Sequence, residues 1–211
     1  MYREGTIAAY LADAASDKPA PGGGSISAMV GALGTTMGSM AGNFTVGRKK
    51  YAGVEEQVRR ILSELETLRA ELLELVDEDV EAYGVVGKAY RLPRTSEEEK
   101  KHRRAEIQKA LVVAMDVPLR IMRACQKVLA LLAELVDVAN PNLISDVGVS
   151  AIVTEAALRA AKLNVEINLA GLADAGTVRE RTDEIESLAC EAAGLCDEVT
   201  GKVERGIRGG R

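Results

Sequence analysis

Asp79 carries the strongest chemical signal in the chain. It lies seven residues after Leu72, three after Val76 and four before Tyr83, a spacing that puts all four on one face of a helix. A carboxylate on that apolar stripe is pushed toward a bundle interior, where desolvation raises its pKa and lets it hold or exchange a proton near neutrality. Two plainer readings compete: a buried carboxylate satisfied by a structural partner, or a helix turned so that Asp79 meets water. Asp77 and Glu78 fall on other faces and are expected in solvent.

Asn164 and Asn168 are four residues apart and share a face with Val153, Ala157 and Ala160. Two amides on an otherwise apolar stripe need hydrogen-bond partners, either structural groups nearby or a polar ligand. Ser145 and Asp146 stand where a helix N-cap is expected, and capping accounts for both. Asn142 reads as a turn residue. Arg48, Lys49 and Lys50 make a compact cationic cluster, able to receive a carboxylate or phosphate, or simply to connect helices at the surface. Gly22, Gly23 and Gly24 precede a helix and would present backbone N–H groups to an anion, but the Walker spacing of a phosphate loop is absent. A turn that starts a helix explains the same glycines.

Several chemistries are excluded. His102 is the only histidine, so neither a histidine zinc site nor a Ser-His or Cys-His pair can form within one chain. Glu99 and His102 make an E-x-x-H, but a di-iron bundle needs two, and Lys100, Lys101, Arg103 and Arg104 mark that face as solvated. No nucleotide fingerprint is present. Thirty-two acidic against 27 basic residues leave a net charge of -5 and no basic field for nucleic acid. A small-molecule partner is expected, with neither nucleic acid nor membrane. Cys125, Cys190 and Cys196 are odd in number and lack C-x-x-C spacing, so they read as reduced thiols of a cytoplasmic protein. Glu4 and Asp13, with no long apolar region, argue against a signal peptide.

Helices must position these residues. Aromatics are 3% of the chain and tryptophan is absent, while alanine, leucine, glutamate and arginine dominate, which predicts an all-α protein. No low-complexity linker divides the 211 residues, so one domain over 1–211 is expected. The organising element is the charge-free run from Ile26 to Val46. Ala28, Gly31, Ala32, Gly34, Thr35, Gly38, Ala41 and Gly42 recur there at helical spacing. An interior glycine costs up to about 1 kcal/mol relative to alanine, so close approach by another backbone or a ligand on all sides is expected. The length fits a membrane span, but Ser27, Thr35, Thr36 and Ser39 dilute the run, and a central helix of a soluble bundle is the expectation.

Around it the periodicity predicts a helix over 3–17 with Ile7, Tyr10, Leu11 and Ala14 inward, and a long one from Val54 to about Tyr90. Another follows over 95–138, opened by a Thr95–Glu98 capping box and interrupted at Pro118, whose missing N–H must kink it. A helix over 147–173 and a last one from Thr177, capped with Glu180, complete an up-and-down bundle of about six helices. The helix over 54–90 would be about 55 Å long, more than the roughly 43 Å of a compact sphere of this chain. The bundle is therefore elongated, or a second subunit covers the excess.

Taken in order, P-A-P-G-G-G-S, N-F-T-V-G-R-K-K-Y, V-D-E-D-V-E-A-Y, L-P-R-T, D-V-P-L, N-P-N-L-I-S-D and N-V-E-I-N-L make a series that resembles the cyclodeaminase/cyclohydrolase family. That family contains formiminotetrahydrofolate cyclodeaminase and methenyltetrahydrofolate cyclohydrolase. The resemblance covers nearly the whole chain, and only G-R-K-K-Y departs, being less lysine-rich than the family's run. It implies an all-α bundle that forms a homodimer, a folate bound in a cleft, and no metal or nucleotide cofactor.

Both reactions work at the carbon bridging two folate nitrogens. In the deaminase the second nitrogen attacks a formimino carbon and ammonia leaves; in the hydrolase water attacks the methenyl carbon and the ring opens. Each moves protons through a tetrahedral intermediate without a redox step. The resemblance implies Asp79 as general acid/base, with Asp146, Asn164 and Asn168 holding the pterin or polarising the reacting centre. Lys49 or Lys50 would attract the glutamate tail, with Asn43 and Asn142 in support and Gly22 to Gly24 letting the ligand approach backbone. Deaminase and hydrolase share this inventory. A non-catalytic folate-binding or scaffold protein is the alternative from another class, against which the inward Asp79 and paired amides weigh.

Overall fold

The computed structural model describes residues 1–209, and every regular element among them is helical. Six α-helices follow in order: α1 Ile7–Ala14, α2 Gly23–Asn43, α3 Glu55–Tyr90, α4 Glu97–Val138, α5 Ile144–Leu169 and α6 Ala175–Gly209, with short 3-10 turns at Tyr2–Glu4, Lys49–Val54 and Pro141–Leu143. Facing residues fix the topology. Gly24 meets Asp79 while Gly42 meets Leu62, so α2 and α3 are antiparallel; Gly23 meets Asn164 while Gly38 meets Ser150, so α2 and α5 are antiparallel too. The bundle is up-and-down, with α4 behind α2 and between α3 and α5.

The small-residue stripe of α2 is buried as its spacing predicts: Ala28, Gly31, Ala32, Gly34, Thr35, Gly38, Ala41 and Gly42 are all covered. The opposite face is not, because Leu33 remains 54% exposed, so α2 is enclosed on its inner sides only. Its glycines have a packing reason. A Cβ on Gly34 would lie 2.4 Å from Thr154 Oγ1 and 3.0 Å from the Thr154 backbone nitrogen. The hydroxyl can rotate away, but the backbone cannot without α2 and α5 parting. Gly34→Ala is therefore expected to cost about 1–3 kcal/mol and to lower the melting temperature by several degrees, measured by thermal denaturation. An unchanged melting temperature would show that the interface has slack.

Large apolar side chains fill the space behind. Ile61, Leu65, Leu72 and Leu75 of α3 pack on Met122, Leu129 and Leu132 of α4, all fully buried. No described helix is long and apolar enough to cross a membrane, so the membrane reading of the α2 run falls. The three cysteines are free, Cys125 in the core and Cys190 at the surface.

Several local expectations need correction. Helix α1 spans only eight residues, and Ile7 and Leu11 are exposed; Tyr10 alone is buried. Its one core contact is enough because Tyr10 reaches Ser25 at the start of α2. The capping box of α4 is Ser96 with Glu99, one residue later than the spacing suggests. Asp174, not Glu180, caps α6, accepting from the Thr177 N–H at 2.9 Å. Ser145 and Asp146 do not cap α5, whose N-cap is Leu143 without a side-chain bond; Asn140 caps the preceding turn Pro141–Leu143, its side chain accepting the Asn142 N–H. Pro118 does not interrupt α4, which runs continuously through it.

Asp77 is the largest misplacement. It is 7% exposed, because the turn Tyr2–Glu4 folds across α3. The Tyr2 N–H donates to Asp77 Oδ1 at 2.5 Å and the Arg3 guanidinium lies 3.7 Å from Oδ2. This carboxylate anchors the N-terminal segment over the core.

Candidate active site

The loop after α1 delivers Pro21 and three glycines to the start of α2. Gly22 occupies the N-cap and has no side chain to satisfy the first turn. Asp79, one helix away on α3, supplies the missing acceptor: its Oδ2 takes the Ser25 N–H at 2.9 Å. The Ser25 hydroxyl donates to the Val76 carbonyl at 2.8 Å, which leaves the Tyr10 hydroxyl, 3.0 Å away, to donate to it. Ser25 thus fastens α1, α2 and α3 together beside Asp79. Neither Ser25 nor Tyr10 is marked by periodicity as functional, although the P-G-G-G-S run contains the first.

Gly24 has a strict reason to be glycine. A Cβ there would lie 2.0 Å from Asp79 Oδ1. The carboxylate is therefore lodged against bare backbone, and burial pushes its pKa above the ordinary value of 3.8, with the Ser25 N–H pulling in the opposite direction. No cation takes part in that balance. Both competing readings of Asp79 resolve here: it faces inward, and it has a structural partner while one of its oxygens stays at a cavity.

That cavity is a cleft of about 430 Å³ between the start of α2, the later part of α3, the middle of α4 and the end of α5. Asp79 is its only carboxylate, and no Lys, Arg or His lines it. Gly22, Gly23 and Gly24 form one edge, where Gly23 meets the Asn164 side chain, and Asn168 follows one turn further along α5. Tyr83 and Tyr90, each about half exposed, stand at the mouth over Val86 and Leu111. Asn164 Nδ2 donates to the Ala160 carbonyl at 2.9 Å and Asn168 Nδ2 to the Asn164 carbonyl at 2.7 Å. A flat polar ring system fits a slot with one carboxylate, two amides and aromatic walls.

Six of the expected site residues are thereby gathered: Gly22, Gly23, Gly24, Asp79, Asn164 and Asn168. The other five are not. Asn43 ends α2, twenty residues or about 30 Å from Gly23, and Asp146 lies in the first turn of α5, about 27 Å from Asn164. Lys49 and Lys50 follow Asn43 in an exposed 3-10 turn, and Asn142 is exposed beside Asn140. Because α2 and α5 are antiparallel, these five residues share the far end of the bundle. Within one protomer Asp146 does not face the atoms that Asp79 faces.

Another groove, of about 420 Å³ between α3 and α4, is lined by Arg60, Glu64 and Glu134, which pair with one another. It presents no strained or desolvated group.

Residues 6–187 match the family described as Formiminotransferase-cyclodeaminase. The chain belongs to this family. A methenyltetrahydrofolate cyclohydrolase of Methylorubrum extorquens is 42% identical over 194 residues, covering 92% of this chain and 93% of that protein. The rat formimidoyltransferase-cyclodeaminase is 31% identical over 201 residues, which are 95% of this chain but 37% of the rat protein. A formiminotetrahydrofolate cyclodeaminase from Thermotoga maritima superimposes with a TM-score of 0.88 at 31% identity, covering 98% of this chain and all of that one. The likeness to the Thermotoga structure therefore extends over nearly the whole of this chain.

Proposed function

We propose that this chain is a folate one-carbon enzyme acting at the carbon that bridges the two folate nitrogens, and that its reaction is hydrolysis of methenyltetrahydrofolate to formyltetrahydrofolate. The observation that carries the chemistry is the desolvated Asp79, lodged against Gly24 with a free oxygen at the cleft. Ionised Asp79 takes a proton from water as its oxygen attacks the methenyl carbon, and a tetrahedral intermediate forms. The carbon–nitrogen bond to one folate nitrogen then breaks as Asp79 returns its proton to that nitrogen, and the carbinol O–H proton is lost to solvent as the formyl C=O forms, so one proton is released overall. No electron is transferred, so the proposal includes neither metal nor cofactor.

The hydrolase is preferred because the Methylorubrum relative is 42% identical, against 31% for the Thermotoga neighbour. The Thermotoga neighbour supports the deaminase as a second reading, in which Asp79 would accept the proton of the attacking nitrogen and help ammonia leave. Incubating the protein with each folate separates them. Accelerated loss of the methenyl chromophore is expected, whereas its appearance with ammonia release would favour the deaminase. No change in either incubation, with binding retained, would favour the non-catalytic alternative.

A homodimer completes the proposal and gives the far end its role. The outer faces of α2 and α5 expose Leu33, Val149, Ile152, Leu163 and Ile167 along the length of the bundle. A second copy related by a two-fold axis across the middle of these helices would carry its Lys49, Lys50, Asn43, Asn142 and Asp146 to the mouth of the first copy's cleft. The cleft has no cation of its own for an anionic glutamate tail, and the basic turn has no acidic partner among the described residues. Ile152→Asp is expected to give a monomer by sedimentation and to lower folate affinity at least tenfold. A monomer with wild-type affinity would contradict the arrangement. The free cysteines fit a cytoplasmic site of action.

A further inference from the structure

We propose that the wall of the cleft formed by α4 and α5 is a surface of hydrogen-bond acceptors that reads adjacent N–H donors, and that Pro118 is a positioning residue for it. The proposal rests on the folate reading above and names the edge of the ligand that enters first.

The polarity of the wall follows from where the amide hydrogens go. Asn164 Nδ2 donates to the Ala160 carbonyl at 2.9 Å; Asn168 Nδ2 donates to the Asn164 carbonyl at 2.7 Å and makes a longer contact of 3.5 Å with the Ala114 carbonyl. Turning either amide over would set its oxygen against a carbonyl oxygen, so both amides are held with Oδ1 as the free end. Among the described residues nothing donates to either Oδ1, and both asparagines line the cleft.

Pro118 supplies the third acceptor. In an uninterrupted α-helix the N–H of residue 118 would donate to the carbonyl of residue 114, and proline has none. Pro118 is inside α4, so the carbonyl of Ala114, a residue that lines the cleft, keeps the acceptor capacity that a residue with an N–H at 118 would take up. It spends part of that capacity on Asn168, whose amide is thereby held by two carbonyls instead of one.

Three acceptors with no cation on the same wall repel a carbonyl and attract neighbouring N–H groups. A reduced pterin has one such edge: the 2-amino group beside N3–H. Its 4-oxo group must then turn away from this wall, toward the donor-rich first turn of α2.

The test is calorimetric titration of 5-formyltetrahydrofolate and of its 2-desamino analogue against the wild-type protein, Asn168→Leu and Pro118→Ala. Wild type is expected to bind 5-formyltetrahydrofolate at least about tenfold more tightly than the analogue, since a site built to pair an N–H rejects the ligand lacking it. Asn168→Leu narrows that ratio to about threefold or less. Pro118→Ala narrows it in the same direction while the melting temperature holds or rises, because α4 regains a hydrogen bond. A purely structural role for Pro118 would move the melting temperature and both affinities together and leave the ratio unchanged. If Pro118→Ala does not fold, Asn168→Leu decides. Equal binding of both ligands by wild type, or an unchanged ratio in Asn168→Leu, overturns the acceptor wall and leaves the folate reading standing. Failure of wild type to bind 5-formyltetrahydrofolate overturns the folate reading, and the proposal with it.

Discussion

Asp79→Asn is expected to lower kcat by about 10²–10⁴, the usual worth of a positioned acid or base, with KM nearly unchanged. The amide oxygen can still accept the Ser25 N–H that Asp79 takes at 2.9 Å, so the start of α2 and the shape of the cleft are retained. Stability separates this role from a purely structural one. Asp79 has a folded-state pKa above its ordinary 3.8, so the folded protein binds more protons than the unfolded chain between the two values. Stability therefore falls as pH rises through that window and stays lower above it. Asparagine removes the ionised group, and at neutral pH the variant should be at least as stable as wild type. A variant that turns over at the wild-type rate would show that Asp79 only caps α2. One that is inactive because it is unfolded would give the capping bond a larger structural share than this geometry implies.

Gly24→Ala should abolish turnover to a similar extent for a geometric reason. Alanine is the better helix former by up to about 1 kcal/mol, and the three atoms nearest the new methyl group all belong to Asp79. That group would lie 2.0 Å from Oδ1 and 2.6 Å from Cγ of Asp79. The short carboxylate is the part able to yield, so it must swing away, breaking its bond to Ser25 N–H. The expected result is a folded, stable protein with kcat reduced about 10²-fold or more and a melting temperature near that of wild type. Circular dichroism and steady-state kinetics together measure this. Retained turnover would mean that the observed position of Asp79 is not the reactive one.

The two substitutions show what was legible in the residues. The inward direction of Asp79 follows from its register with Leu72 and Val76, since a helix repeats every 3.6 residues whatever surrounds it. The many glycines of α2 announce close approach, and the approach is real at Gly24 and Gly34. Which atoms approach was not legible, because the partners lie tens of residues away on α3 and α5. Asp77 shows the same limit. Periodicity places it off the apolar stripe and in solvent, and only the fold brings Tyr2 and Arg3 across to bury it.

The site was half legible for a related reason. The order of motifs along the chain says nothing about which end of a bundle each reaches. Asp146 and Asn164 lie on one helix, yet eighteen residues of α5 separate them by most of its length. Asn43 and Gly23 are separated on α2 in the same way. Pro118 was legible as a missing donor, but α4 runs on through it, and the Ala114 carbonyl meets Asn168 Nδ2 at 3.5 Å.

The pH dependence of kcat/KM for methenyltetrahydrofolate, corrected for uncatalysed ring opening, tests the central claim most directly. If ionised Asp79 removes the proton from water, kcat/KM rises with pH through an apparent pKa above the ordinary carboxylate value of 3.8 and then levels. That limb is absent from the residual activity of Asp79→Asn. A flat profile in wild type, or the same limb surviving in Asp79→Asn, would contradict the assignment of Asp79 as the proton-transferring residue of this cleft.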